Sequence, residues 1–207
     1  MLQKHYSYWI IALFFITSIA CTSFAHTDKA PWQFVEYGPR PTPDDVAFFD
    51  KDGDKHYLEE YEGKTVLLVF WASWCSSCTQ EMPGLDALQK DFRKLPFTII
   101  AISEDYQGIK AIADFYKNND IKYLDIFHDY KNNLFKEFKV VGMPTSFIIT
   151  PDGRNVGMFK GSVNWHDEKV RDILLSHIPG NPEEPKNSYK DSSLNQLINK
   201  PEPGNDK

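Results

Sequence analysis

Residues 65–71, TVLLVFW, form an unbroken apolar run with β-branched Thr65, Val66 and Val69. A strand with one wetted face alternates apolar and polar side chains; a strand without that alternation is covered on both faces. The run therefore implies a sheet with structure packed on either side, and its neighbours supply it. Between Cys75 and Phe92, residues Met82, Leu85, Leu88 and Phe92 recur at helical spacing. PFTIIAIS (96–103) reads as a second buried strand, and Ile109, Ile112, Ala113 and Tyr116 mark a second helix. Tyr123–Phe127 is expected as a strand and Asn132–Phe138 as a helix. SFIIT (146–150) and NVGMF (155–159) flank Pro151-Asp152-Gly153, a turn between antiparallel strands. A helix over Trp165–Ile178 closes the pattern. Ahead of all this, Val46–Phe49 and His56–Leu58 flank DKDGDK and predict a short hairpin. The fold class is α/β: a sandwich with a central mixed β-sheet flanked by helices and an N-terminal β-hairpin extension.

The ends differ from this middle. Residues 1–25 start with Lys4 and continue as about 20 uncharged residues ending in Ser23-Phe24-Ala25. This reads as an export signal cleaved after Ala25. An uncleaved membrane anchor and lipidation at Cys21 are the alternatives, and each leaves the domain outside the cytoplasm. Residues 26–43 are Pro-rich and read as an irregular lead-in. The domain is expected over 44–178. From 179 to 207 the chain is rich in Pro, Asn, Lys and Asp and poor in large apolar residues, so a disordered tail is expected.

With 23 basic against 29 acidic residues the net charge is −6, and no long basic cluster exists. That argues against an electrostatic nucleic-acid binder. DKDGDKHYLEE fails the calcium-loop spacing, since with Asp50 first the glycine position holds Lys55. His128 and His166 read as surface residues, and Trp71, Phe135, Phe138 and Phe147 as core.

The chemistry concentrates in WASWCSSCTQEMP (71–83). Cys75 falls where a buried strand gives way to a helix. Its sulfur lies near the unpaired N–H groups of the first turn, and the partial positive charge there favours thiolate over thiol. Thiolate is the species that attacks a disulfide. Cys78, three residues on, occupies the same helical face and is placed to resolve the mixed disulfide. If the leader is removed Cys21 goes with it, and Cys75 with Cys78 is the one pair left. Two intervening residues make a poor structural staple, and a zinc site needs about four ligands that are not here. Glu81, one turn further, either tunes the thiols and relays protons or is a solvated helix charge. Pro83 falls inside the helix and is expected to kink it. Met143-Pro144 precedes the strand SFIIT. A cis bond there would free the Met143 backbone to pair with an extended substrate, whereas a trans bond would be an ordinary strand start.

TVLLVFWASWCSSCTQEMP (65–83) and VVGMPTSFIITPDGRNVGMFKG (140–161), with their separation, resemble the TlpA/ResA-type thiol–disulfide oxidoreductases of the thioredoxin-like superfamily, over about residues 44–178. The resemblance implies a thioredoxin-like fold and a membrane-facing reductase of the bacterial periplasm or cell exterior. It implies Cys75 as nucleophile, Cys78 as resolving thiol, Glu81 as the acid that tunes them, and Pro144 as a cis proline. Trp74 matches the tryptophan that precedes the first cysteine; with Met143 and Pro144 it is expected to hold substrate. No cofactor beyond the redox-active Cys75–Cys78 disulfide is expected, and no metal. The expected partners are exported proteins carrying disulfides, including apocytochrome c, and a membrane electron donor. A disulfide-forming oxidase and a copper or heme chaperone are the rival functions. Ser76-Ser77 stands where many relatives carry a proline, which leaves the potential open. Val69 stands where cytoplasmic thioredoxins have a buried aspartate, which leaves proton handling to Glu81 or water.

Overall fold

The computed structural model describes residues 32–180. The leader expected over residues 1–25 and the tail expected beyond Gly180 lie outside the described residues. Eight strands form one sheet in the order β1-β8-β7-β4-β5-β6-β2-β3. In chain order these are β1 (Trp32–Pro41), β2 (Phe48–Asp50), β3 (Lys55–His56), β4 (Thr65–Trp71), β5 (Phe97–Ser103), β6 (Phe127–His128), β7 (Thr145–Ile149) and β8 (Arg154–Gly161). The helices are α1 (Ser76–Phe92), α2 (Ile109–Asn118), α3 (Asn133–Glu137) and α4 (Glu168–Leu175). β4, β5 and β6 run parallel; β7 is antiparallel to β4 and β8 to β7. The β2–β3 hairpin pairs onto β6 and extends the sheet there.

The run TVLLVFW is β4, every residue of it buried. Alternate side chains serve two cores. Leu67, Val69 and Trp71 pack with Met82, Leu85 and Leu88 of α1 and with Ile112 of α2. Val66, Leu68 and Phe70 pack with Phe48, Phe127, Leu134 and Phe147 on the other face. Strand period two thus turns a continuous apolar stretch into two faces. α1 runs unbroken through Pro83.

Four readings need correction. Within the lead-in, residues 32–41 form β1, paired with β8 from Trp32↔Gly161 to Pro41↔Arg154. β1 lies at a sheet edge and its register with β8 is irregular between Glu36 and Arg40, a setting that tolerates Pro39 and Pro41. Gly157 lies beneath it: a Cβ there would come within 2.8 Å of the Phe34 ring, so only glycine lets β1 approach β8 this closely. The stretch from Tyr123 becomes strand only at Phe127. The N–H groups of Lys122, Tyr123 and Leu124 instead donate to Asp86 Oδ1 of α1, at 3.0, 2.6 and 3.1 Å. The last helix begins at Glu168 rather than Trp165, because Asp167 caps it through Lys169 N–H, leaving Trp165 in the preceding loop. His128 is buried, and its Nε2 contacts the Asp105 carbonyl at 2.9 Å.

Candidate active site

Cys75 caps the N-terminus of α1, and the Cys78 N–H donates to its sulfur at 3.3 Å. The two cysteines are joined by a disulfide. They are unequal: Cys75 is half-buried, whereas Cys78 is 1% exposed. An incoming group therefore meets Cys75 first. Trp74 beside it stands exposed.

The segment that delivers Cys75 is clamped. A turn closes from Cys75 N–H to the Ala72 carbonyl at 3.1 Å. Within it, Ser73 donates its N–H (2.9 Å) and its hydroxyl (2.6 Å) to the Asp105 carboxylate, which also takes the Ser103 hydroxyl at 2.6 Å. Asp105 lies two residues past the end of β5, the neighbour of β4, so the clamp ties the two strand ends together across the site. Asp105→Ala leaves three donors without their charged acceptor. The expected loss is about 3 kcal/mol of unfolding free energy, read as a lower urea midpoint at unchanged slope.

Glu81 is 4% exposed, which rules out a solvated helix charge. Its carboxyl accepts from Val163 N–H at 2.9 Å and from the Trp165 indole at 3.1 Å. Burial pushes its pKa up from 4.5 to about 7, against the opposing pull of Val163 N–H and of the Ser162 and Trp165 side chains. A cleft of about 410 Å³, lined by Gln80, Gly84, Ser162, Asn164 and His166 among others, brings solvent to this carboxyl. The Met143–Pro144 bond is cis. Gly161 N–H donates to the Pro144 carbonyl at 3.2 Å, which joins the proline loop to the segment holding Glu81. Pro144 adjoins Thr145, the partner of Phe70, so it lies at the same end of the sheet as Cys75.

A second buried acid escaped the sequence reading. Glu104 follows β5, and its N–H donates to the Trp71 carbonyl at 2.8 Å. Asn132 donates to one carboxyl oxygen, while the other is buried with no hydrogen-bond partner among the described residues. Burial, helped by the nearby charge of Asp129, pushes its pKa up to about 8. Among the described residues no group of three or more His, Cys, Asp or Glu side chains is placed to hold a metal ion.

The arrangement is a disulfide-bonded pair with Cys75 half-buried and Cys78 buried. The model of the AhpC/TSA family matches residues 40–155. The thiol–disulfide oxidoreductase ResA of Bacillus thuringiensis subsp. konkukian is 35% identical over 130 residues, covering 63% of this chain and 73% of that protein. The thioredoxin-like protein YneN of Bacillus subtilis is 33% identical over 110 residues, covering 53% of this chain and 64% of that one. Among solved structures, a DsbE-type thiol:disulfide interchange protein of Chlorobium tepidum superposes with a TM-score of 0.61 at 26% identity, over 69% of this chain and 99% of that chain. The exposed lipoprotein thioredoxin of Streptococcus pneumoniae strain TIGR4 gives 0.53 at 29% identity, over 62% and 96%.

Proposed function

Because this chain belongs to the AhpC/TSA family of thioredoxin-like proteins and is a thiol–disulfide oxidoreductase of the ResA type, we propose that it works as a reductase of disulfides in proteins outside the cytoplasm, with apocytochrome c as the favoured client. The observation that carries this reading is the inequality of the two sulfurs, with a buried carboxyl one turn behind them.

In the reduced protein the Cys75 thiolate, stabilised at the helix mouth, attacks one sulfur of a client disulfide. The client S–S bond breaks, a Cys75–client bond forms, and the other client sulfur leaves as thiolate and takes up a proton. Cys78 then gives its proton to the Glu81 carboxylate and attacks the Cys75 sulfur. The Cys75–client bond breaks, the client leaves fully reduced, and the Cys75–Cys78 disulfide remains. Two electrons have passed to the client. A dithiol donor in the membrane returns them. Trp74, Met143 and Pro144, at the same end of the sheet, hold the client against Cys75. The leader of residues 1–25, with Lys4 ahead of its apolar run, supports export, and the disulfide is the only redox group the cycle uses.

The reduction potential tests the direction of flow. Equilibration against glutathione and dithiothreitol is expected to give about −270 mV or lower; a value near about −120 mV would make the protein an oxidase instead.

A further inference from the structure

Among the described residues, the exposed large apolar side chains are Trp74, Tyr106, Tyr123, Tyr130 and Val141. Four of these five gather at one end of the sheet. β4, β5 and β6 run parallel, so the residues that follow them, Trp74, Tyr106 and Tyr130, emerge at the same end. β7 runs the other way, so Val141, which precedes it, emerges there too. The strand order β7-β4-β5-β6 sets them in a row: Val141, Trp74, Tyr106, Tyr130. Three strand spacings make that row about 14 Å long. Cys75 stands within it, one residue after Trp74.

These side chains are not frayed ends. Tyr106 sits in a turn closed by Gly108 N–H to the Asp105 carbonyl at 3.1 Å, on the same Asp105 that clamps Ser73. Tyr130 packs edge-on against the buried His128, with ring centroids 6.1 Å apart. Their exposures are 80% for Tyr106, 69% for Tyr130, 54% for Trp74 and 98% for Val141. Several large exposed apolar side chains at one end of a sheet mark an interaction site.

Resting on the disulfide-exchange reading above, we infer that Tyr106 and Tyr130 extend the client-binding surface across β5 and β6 and select clients with a large apolar or aromatic side chain near the reactive cysteine. The occupant follows from continuity with Cys75. A client sulfur bonded to Cys75 brings its own chain over this end of the sheet. From β4 to β6 is two strand spacings, about 10 Å, which an extended client crosses in about three residues. The residue one or two positions from the client cysteine therefore meets Tyr106, and the residue three positions away meets Tyr130. None of the four side chains in the row carries a charge, so the selection is by apolar contact.

The test uses three peptides, each with one cysteine bonded to 5-thio-2-nitrobenzoate, whose release is coloured. The peptides differ only three positions to either side of the cysteine, where they carry phenylalanine, serine or lysine. Reduced full-length protein, in excess and in a single turnover, is expected to release thionitrobenzoate from the phenylalanine peptide with a second-order rate constant about tenfold above that for the serine peptide. The double variant Tyr106→Ser/Tyr130→Ser is expected to bring that ratio close to one, while Tyr106→Phe/Tyr130→Phe keeps it. An unchanged thermal midpoint certifies the fold of each variant. A wild-type ratio near one, a ratio that survives the double serine variant, or a preference for the lysine peptide overturns the inference. Failure to release thionitrobenzoate from any peptide overturns the exchange reading itself, and the docking surface with it.

Discussion

Cys75→Ser is expected to fold and to lose disulfide exchange by at least about a thousandfold, because a serine hydroxyl at neutral pH supplies no anion to attack sulfur. Cys78→Ser behaves differently. Its Cys75 still sits at the helix mouth and still makes the first attack, but the second sulfur is gone, so the mixed disulfide accumulates. Single-turnover assays with a coloured mixed disulfide separate the two variants: no release for the first, one equivalent without turnover for the second. Residual turnover by Cys75→Ser would show that Cys75 is not the nucleophile. Equal behaviour of the two variants would remove the division of labour that the burial of Cys78 implies.

Glu81→Gln is expected to slow the resolving step by about ten- to hundredfold, since the buried Cys78 loses the group that takes its proton. The first attack should change little. The wild-type rate profile is expected to inflect near pH 7, where Glu81 titrates, and the variant to lose that inflection. Stability moves as well. A carboxyl with a higher pKa in the folded chain than in the unfolded one binds its proton more tightly on folding. Its favourable contribution is complete below about 4.5 and is lost as pH rises through about 7. Unfolding at a series of pH values should therefore show the glutamine variant gaining on the wild type between pH 5 and 8. A wild-type profile flat across neutrality, with a variant parallel to it, would remove Glu81 from the proton path.

Local pattern carried much of the architecture and the linear part of the site. TVLLVFW is β4 residue for residue, and Met82, Leu85, Leu88 and Phe92 are the buried stripe of α1. The reason is that period and continuity are set by neighbours in the chain. Features fixed by distant partners were not legible. The prolines of β1 look like irregular chain until the sheet order puts them at an edge. Tyr123 and Leu124 have strand-like side chains, but Asp86, far back in the sequence, takes their N–H groups. Trp165 sits at helical spacing with the residues after it, and its indole is committed to Glu81 instead. Nothing in the local pattern of ISEDY marks Glu104 or Asp105. Only the parallel pairing of β4 and β5 brings one under Ser73 and buries the other beside Asn132.

The direction of β1 has a practical consequence. Trp32 pairs with Gly161, at the end of β8 next to Pro144, so the described chain enters at the end of the sheet that carries the disulfide, three strands away from β4. It departs elsewhere: Thr65, the first residue of β4, donates to the His177 carbonyl at 2.6 Å, at the opposite pole. A bead or reporter joined after Gly180 points the reactive face away from its support, whereas the same bulk joined ahead of Trp32 is attached at the reactive end.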